Sequence, residues 1–180
     1  MTSETRGGVD VPAPVANLAQ MTLGGRRIRY APHGCFACGE LNEHGLHMAL
    51  HAQDDRCWSE ITLDDRFQGW EGIAHGGILS TILDEVMAWT LVSQDSWGVT
   101  ARMTVTYHRP VPVGRAIRAE GRVMESRRRV SRTAAEITDA ATGELLASAE
   151  ASYVAAPEAR RAELKARYQF RLVPDVPGAP

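Results

Sequence analysis

Residues 78–92 form an almost unbroken apolar run, ILSTILDEVMAWTLV, interrupted by two acids, Asp84 and Glu85. At roughly 100° per residue, Ile78, Leu79, Ile82, Leu83, Val86, Met87 and Trp89 cover one half of a helix. Leu91 and Val92 extend the apolar surface beyond that half, so the pattern predicts a helix buried nearly all round. Gly69, Gly72, an extended Ile73-Ala74 and then His75-Gly76-Gly77 lead into it. Elsewhere the period falls to two. Residues 99–109 place Val99, Ala101, Met103, Val105 and Tyr107 opposite Thr100, Arg102, Thr104, Thr106 and His108, a strand that stops at Pro110 and Pro112. Residues 46–50 and 57–63 predict an antiparallel pair about a turn at Gln53-Asp54-Asp55. Residues 115–125 and 130–138 predict a hairpin with its tip at 126–129. A second turn at 140–143 leads to a strand at 144–154, whose alanines leave room for the helix against it.

The order is two strands, one long helix and four antiparallel strands, an α+β domain with a sheet of about six strands. Short hairpin spacings exclude parallel crossovers among the last four. One sheet covers one helix only by curving around it, which leaves part of the helix and an edge strand exposed. Pairing with a second copy would cover both, so a homo-oligomer is expected. Residues 1–25, rich in Gly, Pro, Thr and Ala without a period, read as a loosely attached tail. Residues 26–156 read as the domain. Pro157 stops the sheet, and 157–180 read as an appended charged helix or tail.

Composition narrows the class. Among 180 residues, 44% are hydrophobic and 23% charged, the balance of a globular domain. No stretch has the length of a membrane span, and the start of the chain lacks a basic patch followed by an apolar segment. Three cysteines argue against a disulfide framework, so a cytoplasmic setting is expected, with neither membrane nor nucleic acid as partner. Nine arginines lie between residues 101 and 135, either a solvated strand face or a phosphate-binding rim. Cys35 and Cys38, near His33, His44 and His47, are zinc-ligand types. Without a second Cys pair they predict no metal.

The Gly-rich turn, His75-Gly76-Gly77 and an acid nine residues after the His resemble the hotdog-fold thioesterases, and within them the PaaI-like acyl-CoA thioesterase group. Gly98-Val99-Thr100 and Tyr107-His108-Arg109-Pro110, which bound the next strand, strengthen the resemblance, and it covers residues 33–156. It implies hydrolysis of an acyl-CoA or acyl-carrier-protein thioester without a cofactor, in a site between two protomers of a dimer or a dimer of dimers. It implies that the Gly76 N–H polarises the carbonyl, that Asp84 is the catalytic acid and that Thr100 lies near the attacking water. Some members carry Asn or Gln in the loop before the His. Gly69 stands at that distance here, and Gln68 beside it is the substitute candidate. The Cys35–Cys38 segment reads by the same resemblance as a lid or substrate loop.

The residue types suit that chemistry. Helix N-terminal N–H groups lack intrahelical partners and favour negative charge, so Gly76 and Gly77 offer an oxyanion site to which a ligand can come close. Such a donor is worth roughly 2.7–4 kcal/mol. Asp84 can act as general base or as nucleophile. His75 is a candidate base, with a hydrogen bond holding the turn as the favoured role. Glu85, about 100° round the helix, is expected in a buried ion pair with an arginine of the adjoining strands or of a second subunit. Arg109, Arg127, Arg128 and Arg129 are candidates for CoA phosphates, Arg109 and Arg128 foremost. The rival functions are a hotdog hydratase or dehydratase and a non-catalytic acyl-ligand binder.

Overall fold

A computed structural model of the chain describes residues 19–23 and 26–172. Its strands are β1 (Ala19–Leu23), β2 (Arg26–Tyr30), β3 (His51–Gln53), β4 (Arg56–Thr62), β5 (Gly98–Tyr107), β6 (Ala116–Arg127), β7 (Val130–Asp139), β8 (Leu145–Ala155) and β9 (Arg171–Leu172). The helices are α1 (Gly76–Ser93), between β4 and β5, and α2 (Glu158–Tyr168), between β8 and β9. The strands form one sheet in the order β5-β8-β7-β6-β4-β3-β1-β2-β9, antiparallel except for β1 beside β3. Helix α1 packs on it, with Ile82, Leu83, Val86 and Met87 fully buried. This is the hotdog arrangement.

The strands expected from alternation are present, and β1, β2 and β9 lengthen the sheet at one end. Strand β1 occupies residues expected in the tail, and α2 occupies much of the segment expected as a helix or tail. The rest of 1–25 lies outside the described residues, as do 173–180. The strand expected at 46–50 differs. Leu46, Met48 and Leu50 alternate inward and are buried, but His47 takes a left-handed φ of 50°. Their backbone bonds to a loop instead: Leu46 N–H donates to Phe36 O at 2.8 Å and Met48 N–H to Ala37 O at 2.9 Å. The ladder proper begins at His51.

Two local features set the distance between sheet and helix. Gly121, in the middle of β6, lies against α1 so closely that a Cβ there would meet the Val86 carbonyl at 2.9 Å. A glycine inside a strand marks such close backbone approach. In β5, the register against β8 shifts between Thr100 and Arg102. That bulge breaks the strict alternation expected along residues 99–109. Thr100 turns to the same side as Tyr107, towards α1, while Val99 stays 68% exposed. Strand β5 is also the sheet edge, as expected of a fold that leaves one strand open.

Among the described residues no helix is long and apolar enough to cross a membrane.

Candidate active site

The start of α1 is held by its own sequence. His75 is the N-cap, with φ −66° and ψ 134°, and its Nδ1 accepts from Gly77 N–H at 2.9 Å. The N–H groups of Ile78 and Leu79 donate to His75 O at 2.9 and 3.3 Å. In the first turn this leaves Gly76 N–H as the donor without a partner among the described residues. The phenol of Tyr107 donates to Gly76 O at 2.9 Å and lies 2.7 Å from the Ser80 hydroxyl. A Cβ on Gly76 would sit 3.2 Å from the Tyr107 ring, so a larger residue here displaces that ring.

The turn before the helix is a tight loop. Gln68 bridges Ala74, and Gly69 N–H donates to Ile73 O at 2.9 Å. The Gln68 Oε1 accepts from Gly72 N–H at 3.0 Å, which engages the side chain considered as a water-positioning substitute. A Cβ on Gly69 would lie 3.1 Å from the His75 ring. This gives a local reason for glycine there: a longer side chain crowds the N-cap. Trp70, at the loop tip, is 87% exposed, unlike the buried Trp89.

Two turns along, Asp84 meets the sheet. Its Oδ1 accepts from Thr100 Oγ1 at 2.8 Å and from the Tyr153 phenol at 2.7 Å. Among the described residues its Oδ2 has no hydrogen-bond partner. Tyr153 is only 2% exposed, and burial followed by the adjacent Asp84 charge pushes its phenol far up, so it stays a donor. Thr100 and Asp84, each singled out by the resemblance, therefore touch. Tyr153 was missed. Its one signal was a lone phenol among the alanines of β8.

The carboxylate and the free N–H lie eight residues apart on one helix, about 12 Å along its axis. Arg109, beyond β5 near the Gly76 end, is paired with Glu144 at 2.6 Å. Arg128 sits at the β6–β7 tip with φ 51° and has no ion pair among the described residues. Most of the other arginines of this region pair with acids, including Arg118 with Glu60 and Glu120. The expected arginine partner of Glu85 is not found among the described residues. Its Oε1 accepts from Trp89 Nε1 at 2.7 Å, and Oε2 lies 3.9 Å from Cys35 Sγ.

A profile of the thioesterase superfamily matches residues 71–146. Human acyl-coenzyme A thioesterase 13 is 28% identical over 90 residues, 49% of this chain and 64% of that protein, so the match spans under two thirds of the curated relative. Among solved structures, a thioesterase superfamily protein aligns with a TM-score of 0.65 and 27% identity over 81% of this chain and 70% of its own. A hypothetical thioesterase from Streptococcus pneumoniae, solved with coenzyme A, aligns with a TM-score of 0.55 and 20% identity over 57% of this chain and 82% of its own. The fold is the hotdog fold, and residues 71–146 are similar in sequence to the thioesterase superfamily.

Proposed function

We propose that this chain is a thioester hydrolase, acting as a homo-oligomer on an acyl-CoA or acyl-carrier-protein thioester. The observation that carries the reading is a carboxylate, Asp84, oriented by two hydroxyl donors through Oδ1 while Oδ2 stays unengaged, on the helix whose first free N–H is Gly76. One carbonyl carbon cannot lie within about 3 Å of groups at both places when they stand about 12 Å apart along one helix. The working pair is therefore Gly76 of one protomer and Asp84 of another. The open edge strand β5, which carries Thr100, is the surface through which a second copy would bring them together.

In that arrangement the Gly76 N–H binds the oxygen of the thioester carbonyl as it gains negative charge. Asp84 Oδ2 takes a proton from water as the water oxygen attacks the carbonyl carbon. The carbon–sulfur bond then breaks, and the thiolate recovers the proton. In the nucleophilic variant, Oδ2 itself attacks to form an anhydride, which water then opens. His75 is spoken for as the helix cap and serves the turn rather than the proton transfer. Coenzyme A is the thiol to test first, because a protein of this fold has been solved with it. Arg128, free of ion pairs among the described residues, suits its phosphates better than Arg109, which Glu144 neutralises. Three free cysteines fit a reducing compartment, so this reading places the activity in the cytoplasm.

The test is thiol release from a panel of acyl-CoA and acyl-carrier-protein thioesters by the full chain and by Asp84→Asn. Loss of kcat by at least about 100-fold with the fold intact is expected. Unchanged turnover in the variant removes Asp84 from the chemistry. Tight acyl-CoA binding without cleavage in the wild type makes the protein a binder.

A further inference from the structure

Glu85 follows Asp84 directly, and the turn of about 100° sends it to the other side of α1, away from the thioester site. There it meets the loop that carries Cys35 and Cys38. The two Sγ atoms and a Glu85 carboxylate oxygen all lie within 4.8 Å of one another. Among the described residues no arginine, lysine or histidine pairs with that carboxylate, which is half-buried. Taking a carboxylate out of water without a cation costs several kcal/mol. A bound cation offsets that cost.

We propose that Cys35, Cys38 and Glu85 are the protein ligands of a divalent transition metal, zinc by its donor set, at a site separate from Asp84. Two thiolates and a carboxylate suit a borderline-soft ion and not a hard one such as magnesium. Bonds of about 2.3 Å to sulfur and about 2.1 Å to oxygen, in a tetrahedron, put ligand atoms roughly 3.5–3.8 Å apart. The Cys35 Sγ to Glu85 Oε2 separation of 3.9 Å is already close to that edge. On binding, each thiol gives a proton to solvent, as does the carboxyl where it is protonated, and no electron moves.

The loop is built to hold this geometry. Gly39 N–H donates to Cys35 O at 3.0 Å and closes the turn between the cysteines. A Cβ on Gly39 would fall 2.3 Å from His33 O and 2.4 Å from Cys35 N, so the turn closes only with glycine. His33 is buried and provides the outer shell. Its Nδ1 accepts from Cys35 N–H at 3.3 Å, which puts the proton of the neutral ring on Nε2, 3.8 Å from Cys38 Sγ. Tyr168 packs edge-on to the same ring at 5.0 Å between centroids. Cys35, Cys38 and Glu85 line a cavity of about 220 Å³ together with Trp97, Tyr168 and Phe170, where water can take a fourth ligand position. His44 and His47, the other nearby histidines, point to solvent and take no part. The third donor comes instead from α1, fifty residues along the chain.

The experiment is elemental analysis of the full chain purified without chelator. About one zinc per chain is expected in the wild type and in Cys57→Ala, and background in Cys35→Ser and Cys38→Ser. Glu85→Gln is expected to hold zinc at least about 10-fold more weakly in competition with a chelating dye. Cobalt(II) added to chelator-stripped wild type should give thiolate-to-cobalt charge-transfer absorption that zinc bleaches. This measurement stands even where a cysteine variant fails to fold. A wild type that gives no cobalt band overturns the proposal. So does zinc that persists in both serine variants, or a purified chain that is two thiols short because Cys35 and Cys38 have joined in a disulfide.

Discussion

The phenol of Tyr153 donates to Asp84 Oδ1 at 2.7 Å, and the Thr100 hydroxyl donates to the same oxygen at 2.8 Å. Two donors on one oxygen orient the carboxylate and leave Oδ2 without a hydrogen-bond partner among the described residues. Removing one hydrogen bond to a charged group costs about 1.5–3 kcal/mol. Tyr153→Phe and Thr100→Val should each lower kcat roughly 10- to 100-fold, with KM little changed. Because the donors share one acceptor, the double variant should lose less than the product of the two single effects. Multiplicative losses in a steady-state double-mutant cycle would mean that the two hydroxyls act independently.

Much of the fold around this candidate site is legible in the sequence. Long-period apolar spacing marks α1, and the spacing from His75 to Asp84 marks its acid. Alternation marks β4 to β8, because each has one face against α1. What escaped depends on contacts distant in sequence. Tyr153 sits at an inward position of β8, where alternation says only that it is buried. That its phenol reaches Asp84 follows from the alanines and Gly121, which let the helix lie close. The bulge after Thr100 is set by pairing with β8, and a strict two-residue period along 99–109 hides it. Glu85 was expected to find an arginine, since buried acids usually pair. Its neighbours are the indole of Trp89 and a thiol fifty residues upstream.

Gly121 tests the close packing of sheet on helix. A methyl group there would meet backbone atoms of Val86 and Met87 at 2.9–3.0 Å, and backbone inside a packed helix has little freedom to move aside. Gly121→Ala should therefore destabilise the fold by about 1–3 kcal/mol, through overpacking that outweighs the gain from alanine in a strand. Urea unfolding at neutral pH measures this. A variant as stable as the wild type would mean that α1 can shift outward freely.

Asp139 gives the stability a dependence on acid. It closes the turn after β7 by accepting from Ala141 N–H at 3.1 Å, from Thr142 N–H at 2.8 Å and from the Thr142 hydroxyl at 3.0 Å, and it pairs with Arg115. Burial alone would raise its carboxyl, but the Thr142 and Ala141 donors and the Arg115 guanidinium hold it below the usual range. A depressed folded-state value means that the stabilisation is present above about pH 4 and is lost as pH falls through that lowered value. Asp139→Asn should unfold at lower urea than the wild type at pH 7, with the gap closing under strong acid. An equal gap at both pH values would show that the charge contributes nothing.

The separation of Gly76 from Asp84 makes the shared site testable in a mixture. Gly76→Pro removes the free N–H while proline remains acceptable as the first helical residue. His75 already has the extended conformation that must precede a proline, and the exposed Tyr107 ring can give way to the added atoms. Gly76→Pro and Asp84→Asn should each be nearly inactive as pure proteins. Co-expressed in equal amounts, half of the dimers are mixed. Each mixed dimer holds one intact Gly76 facing one intact Asp84, so activity should return to about a quarter of wild type. No recovery, in a sample whose mixed dimers are confirmed by differently tagged protomers, would place both groups within one chain and overturn the shared site.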